Sequence, residues 1–515
     1  MFGVLLGYGT LHVILRTLMS SSVDLDESEQ VVLAQKLCWG YGSAPPLYTW
    51  LQVLFFRVMG ESVLALSVLK HLLLLGTCWL TYQTARVMTR NAAAGVAAAL
   101  SLFFLPSVAW ESHRDLTHSV LAATLASATL LCLLHVLERQ TASRYALLGL
   151  VCGLGAISKY NYAFWLLGLL VAAMSLPECR SSVLNRRMLA ALGICAAVSL
   201  PNLLWALGHR DLALLDSTKF NIKPDSNWWE AVREGVRNMA QSLFSFGAPL
   251  GLVYAVVFLK APDRGGQEGA DDRVRKWRRL ILRAWVSILV LLLLAVCVSR
   301  ATGFKERWFQ PVLISAPVLA VLLIHRRLDR IRLKVLAGFG LAVMAAVAVI
   351  LPGRLLVAER LKREEPLTRP YAELAAQLRD VVPPGSMVVC DTQLLAGNMR
   401  LGLDARILPP ELTSVLVENR QHCFLLWSAN RSESLPAELA EWARVHGARR
   451  SNAPVVAEAG GSGAERRAPA LREPACSSAQ RASAESSGGG PARYFTATYK
   501  FHKSKQYRLG LVQVY

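Results

Sequence analysis

The 515-residue chain reads as a polytopic α-helical membrane protein of about eleven spans, followed by a small C-terminal extracytoplasmic α/β domain. Three observations predict this. Hydrophobic residues make up 53% of the chain and the mean hydropathy is +0.35, beyond what an ordinary soluble protein carries. Apolar segments of bilayer length recur over the first 352 residues and then stop. Basic residues fall in every second connection between those segments, as the positive-inside rule requires of one membrane face.

Taken in order, spans are expected near 2–19, 62–85, 92–108, 117–137, 145–157, 162–176, 188–207, 241–259, 281–299, 308–324 and 335–352. The first lacks both a clear basic leader and a small-residue cleavage site before Asp24, so it is expected to remain as a span. The segments around 145–176 are separated by Ser158-Lys159-Tyr160-Asn161-Tyr162, either a tight turn or a polar break in one tilted helix. Arg86 and Arg90, Arg139 and Arg144, Arg180, Arg186 and Arg187, the run from Arg273 to Arg279, and Arg326 to Lys334 define the cytoplasmic connections. The N-terminus is therefore expected inside, and the stretches 20–61, 109–116, 158–162, 208–240 and 300–307 outside, together with everything after about 353. The net charge of +20 is dispersed through these loops and forms no soluble basic module, which argues against a nucleic-acid partner.

Residues 1–352 form the expected membrane domain and 353–454 the α/β domain. Helical spacing over 371–379 precedes the turn Pro383-Pro384-Gly385, and Met387 to Cys390 and His422 to Trp427 read as buried strands. Asp391, at a strand end, suits a capping or turn role. The stretch 455–492 is rich in Gly, Ser and Ala, lacks apolar periodicity and is expected to be a disordered insertion. Residues 493–515 should close the domain as a β-hairpin. The ten cysteines show no metal or disulfide spacing, and no metal or other cofactor is expected from the motifs.

The chemistry-bearing residues concentrate on the predicted outer face. Asp24, Asp26, Glu27 and Glu29 follow the first span directly, and carboxylates at membrane depth carry a cost that function usually justifies. Arg114, Asp115 and His118 open the fourth span, Lys159 follows the fifth, and Lys305 and Arg307 precede the tenth. Tyr41, with Trp39, Tyr48 and Trp50, fits an interfacial aromatic belt or a substrate contact. A carboxylate base among cations suits transfer from a phosphate-linked donor: the base takes the acceptor proton and the cations stabilise the departing phosphate. Each cation alone could instead reach towards lipid headgroups.

The order Asp26-Glu27, Gly40-Tyr41, Pro45-Pro46-Leu47, Asp115 and Ser158-Lys159-Tyr160 resembles the bacterial GT-C glycosyltransferases of the protein O-mannosyltransferase-like superfamily. Within it the chain is similar to the rhizobial lipopolysaccharide galacturonosyltransferases and, more distantly, to the lipid A aminoarabinose transferase. The resemblance implies a GT-C-like fold in the bacterial inner membrane and an inverting transfer from a polyprenyl-phosphate-linked sugar to a periplasmic lipid or glycan such as lipopolysaccharide or lipid A. It further implies Asp26 as catalytic base, with Glu27 beside it and Asp115 supporting base or acceptor geometry. Lys305, Arg307 and Lys159 would hold the donor phosphate, and Tyr41, Glu29, Arg114 and His118 would contact substrate. Ser43-Ala44 stands where relatives often carry a charged residue or His, and Gln30 where a tyrosine is expected, so donor recognition is expected to differ. A lipid-linked-sugar flippase is the alternative from another class, disfavoured by the lack of paired broken spans with polar midplanes.

Overall fold

The computed structural model describes all residues except 214–219, 223–226, 264–267, 359, 362, 417–421, 452–491, 501 and 515. Two compact units emerge, Met1–Leu367 and Thr368–Tyr515. The expected insertion at 455–492 lies, but for its last residue, outside the described residues.

The first unit is a helical bundle. Its elements are α1 (Phe2–Met19), α2 (Leu25–Leu33), α3 (Leu47–Met59), α4 (Val63–Thr89), α5 (Ala92–Ser101), α6 (Ser112–Arg114), α7 (His118–Glu138), α8 (Ala142–Ala156), α9 (Tyr162–Ser175), α10 (Pro177–Val183), α11 (Arg186–Gly208), α12 (Arg210–Ala213), α13 (Trp228–Phe258), α14 (Glu268–Ser299), α15 (Ala316–Ile324) and α16 (Arg330–Leu356). Seven of the described helices are long and apolar enough to cross a bilayer: α1, α4, α7, α11, α13, α14 and α16. Two bent pairs raise the number to nine, one running from α5 through Ser107–Arg114 with a 75° break, the other α9 with α10 at 118°. The expected eleven is thus too many by helix length. The segment at 145–157 is the 15-residue α8, and 308–324 yields only the nine-residue α15. In the second case Pro311 precedes the helix and Pro317 stands in its first turn, where a missing backbone donor costs least.

The charge alternation nonetheless has a structural counterpart. α7 and α8 run antiparallel, with Arg144 donating to the His135 carbonyl (2.6 Å) at one end and Lys159 to Ser119 Oγ (2.5 Å) at the other. At the first end Arg273 pairs with Glu138 and donates to the Val87 carbonyl, and Arg187 caps the Gln140 carbonyl. At the second end Asn161 reaches the Trp308 carbonyl (2.7 Å), Gln310 reaches Ser112 (2.9 Å), and Lys70 reaches Glu27 (3.1 Å). Arg144, Arg187 and Arg273 therefore share one end of the bundle, and Glu27, Lys70 and Lys159 the other.

The second unit holds a five-stranded mixed sheet of β1 (Met387–Cys390), β2 (Arg406–Leu408), β3 (Cys423–Ser428), β4 (Arg493–Tyr499) and β5 (His502–Gln513) in the order β2-β1-β3-β5-β4. β1 lies parallel to β2 and β3, and β5 antiparallel to β3 and β4. Strands β1 and β3 are buried along their whole length, as parallel strands covered on both faces must be. Helix α17 (Tyr371–Leu378) precedes the sheet, and α18 (Gln393–Arg400) follows β1. Asp391 accepts from the Ser428 N–H (3.0 Å) and the Thr392 hydroxyl (3.1 Å), while Thr392 caps α18, a purely local task.

Candidate active site

The acidic cluster is a helix start. Asp24 is the N-cap of α2 and forms a capping box with Glu27 three residues on, so two of the helix's orphan N–H groups are satisfied by its own sequence. The helix that results divides the four acids by direction. Glu27 is driven inward: it is 1% exposed, with one oxygen 2.5 Å from Arg16 of α1 and the other 3.1 Å from Lys70 of α4. Burial pushes its carboxyl up, but Arg16 and then Lys70 more than offset this and hold it at about 2. Glu27, expected beside the base, is therefore a fixed counter-ion that joins α1, α2 and α4. Both of its oxygens are engaged.

Asp26 and Glu29 are half-buried on the same helix. The Asp26 backbone N–H donates to Asp115 Oδ1 at 2.9 Å across 89 residues of chain. Asp115 is 3% exposed, and burial together with Asp26, Asp24 and Glu27 raises its pKa well above the usual carboxylate range. Arg114 lies 3.9 Å from Asp24 and 3.6 Å from Glu111, at the rim of this pair. His118 is buried, with Nε2 2.9 Å from the Gln30 amide nitrogen, and Gln30 in turn accepts from the Thr49 hydroxyl (2.9 Å). The position where a tyrosine was expected thus carries an amide that bridges α2, α3 and α7.

The predicted phosphate ligands share this end without forming one cluster. Lys159 is half-buried beside Ser119, one residue from His118. Lys305 is exposed and Arg307 half-buried, on a segment tied to Asn161 through Trp308 and to Ser112 through Gln310. Burial, aided by Glu111, raises Glu306 on the same segment.

Tyr41 departs from expectation. It is 3% exposed, and its hydroxyl donates to the Lys36 carbonyl (2.8 Å) and accepts from the Cys38 N–H (3.0 Å), closing the 36–41 loop on itself. The loop is docked on α11, where Asn202 donates to the Trp39 carbonyl (2.7 Å) and a Cβ at Gly40 would lie 2.0 Å from the Trp205 ring. Only glycine permits that approach.

Sequence reasoning passed over Lys70, Arg16 and the three histidines His12, His71 and His113, which lie together and fully inside the bundle. Their separation along the chain gives no spacing motif. The available signal was the presence of ionisable and polar groups inside otherwise apolar spans.

Buried carboxylates and several basic side chains thus share one end of a helical membrane bundle. Residues 43–205 match the family model described as dolichyl-phosphate-mannose-protein mannosyltransferase. The lipopolysaccharide core galacturonosyltransferase RgtB of Rhizobium johnstonii is 32% identical over 463 residues, covering 86% of this chain and 90% of that one. RgtA of the same organism, also a lipopolysaccharide core galacturonosyltransferase, is 30% identical and covers 77% and 79%. The fold is similar to that of ArnT from Cupriavidus metallidurans, solved bound to undecaprenyl phosphate, with a TM-score of 0.57 at 14% identity over 83% of this chain and 94% of that one. The chain belongs to the GT-C glycosyltransferase family that includes the rhizobial lipopolysaccharide core galacturonosyltransferases.

Proposed function

We propose that this protein transfers a galacturonosyl residue from a polyprenyl-phosphate donor to the core or lipid A portion of lipopolysaccharide, at the periplasmic face of the inner membrane, with Asp26 as general base. One observation supports the role of Asp26 most directly: its backbone is pinned to buried Asp115 while its side chain remains half-exposed. A base must be held in place and still be reachable. The acceptor hydroxyl attacks the anomeric carbon and gives its proton to the Asp26 carboxylate. The bond from that carbon to the phosphate oxygen breaks, with inversion, and polyprenyl phosphate departs. Lys159, Lys305 and Arg307 offset the phosphate charge, Arg114, Glu29 and His118 contact the sugars, and Asp115 positions Asp26. The names of the similar Rhizobium enzymes favour a uronic acid and a lipopolysaccharide acceptor. The undecaprenyl phosphate in the similar fold favours the donor class. The second unit then lies on the periplasmic side.

The test is turnover of purified wild type and Asp26→Asn with polyprenyl-phosphate galacturonic acid and lipopolysaccharide, read by mass spectrometry. Loss of a general base should lower the rate about 10²–10⁴-fold with folding retained. Equal turnover by the two proteins would sink the assignment, and wild-type transfer of a neutral hexose in preference would overturn the choice of sugar.

A further inference from the structure

We propose that His12, His71 and His113 form a binding site for a transition-metal cation of the zinc class, separate from the carboxylates that handle the sugar. The three imidazoles come from α1, α4 and α6, and are 5%, 8% and 7% exposed. One ring nitrogen from each lies within 4.8 Å of the others, and His71 Nε2 is 3.2 Å from His113 Nδ1. Tetrahedral nitrogen ligands on zinc sit about 3.3 Å apart, given metal–nitrogen distances of about 2.0–2.1 Å.

The tautomer of His71 is fixed by its surroundings. Nδ1 is 2.7 Å from the Ser67 carbonyl, which can only accept, so the proton is on Nδ1 and the bare lone pair on Nε2 points into the cluster. A carbonyl behind a ligating histidine is the usual outer support of a metal site. A hydrogen bond from His113 Nδ1 would satisfy His71, but it leaves His12 Nε2, which is buried without a partner, still unsatisfied. A cation satisfies all three lone pairs together. An apolar cavity of about 220 Å³, lined by His71 and His113 along with Tyr8, Gly9, Cys78 and Phe103, adjoins the cluster. Neutral nitrogen ligands suit zinc, copper or nickel, whereas magnesium and calcium require oxygen.

The site would brace the carboxylates from behind. His113 is two residues from Asp115, and His71 adjoins Lys70, which holds Glu27. A cation here would tie the ends of α1 and α4 to the turn that carries Arg114 and Asp115.

The experiment uses the full-length protein without a polyhistidine tag, stripped with chelator in detergent and reloaded with zinc or cobalt(II). About one equivalent of zinc should survive gel filtration, and the cobalt form should show the intense visible absorption of four-coordinate geometry. Asp26→Asn should retain both signals, so metal binding is read independently of sugar transfer. His12→Asn should weaken zinc binding at least about tenfold. If refolding fails in that variant, the wild-type cobalt spectrum still decides. No retained zinc and no such absorption in folded wild type would overturn the site, as would an unchanged spectrum in folded His12→Asn.

Discussion

At the scale of single residues, Glu27 shows how neighbouring acids acquire different work. Asp26 and Glu27 are adjacent acids, yet the helical turn leaves one half-buried and sends the other between Arg16 and Lys70. Removing one partner of a buried ion pair leaves uncompensated charge at a cost of about 3–5 kcal/mol. Glu27→Gln should therefore lower the midpoint of thermal unfolding in detergent sharply, because two cations remain without their carboxylate. The same residue fixes a pH response. Its folded pKa of about 2 lies below the ordinary 4.5, so its contribution is complete above about pH 4.5 and is lost as the pH falls towards 2. At about 1.4 kcal/mol per pH unit this is on the order of 3 kcal/mol. Wild type and Glu27→Gln should converge in stability over that window, and parallel curves would refute the assignment. Lys70 was legible only as a lone charge within a predicted span; what it pairs with was not, because no local pattern joins residues 27 and 70.

At the scale of elements, helix–helix contact rests on small residues rather than apolar bulk, since lipid is as apolar as any side chain. On α8, a Cβ at Gly149 would lie 2.3 Å from the Ala191 carbonyl oxygen of α11, and one at Gly153 would lie 2.7 Å from Val198 Cβ. The two helices meet along this stripe. Gly149→Leu should force them apart at a cost of about 1–3 kcal/mol, the usual range for overpacking, and so lower thermal stability. An unchanged midpoint would mean that α8 is not locked to α11. The elements themselves were legible to different degrees for physical reasons. Long apolar runs such as Val63–Thr89 announce themselves by composition. The capping box of Asp24 and Glu27 was also readable from its three-residue spacing. Hydropathy averaged over 308–324 hid Pro311 and Pro317, and the helix begins only at Ala316 with Pro317 in its first turn. Strand β2 has three residues, too few for any alternation to register.

At the scale of the whole bundle, charge and geometry make different statements about α8, and the contacts around α7 reconcile them. Its 15 residues reach only about 22 Å, short of the roughly 30 Å hydrocarbon core, so length alone denies it a crossing. Yet the 21-residue α7 extends about 31 Å, and Arg144 in the first turn of α8 and Lys159 just beyond its last turn reach towards opposite ends of α7, at His135 and Ser119. Arg144 and Lys159 therefore lie towards opposite faces of the membrane if α7 crosses it. On the positive-inside rule the Arg144 end is expected in the cytoplasm and the acids of α2 outside. Ser143 and Tyr160 are both exposed, which makes the orientation measurable. In intact spheroplasts a membrane-impermeant maleimide should label Tyr160→Cys above the background of native cysteines, and should label Ser143→Cys only after the membrane is opened. The reverse pattern would invert the enzyme and place Asp26 on the cytoplasmic side. Labelling of both from outside would mean that α8 does not cross, and would separate the charge alternation from the topology it implies.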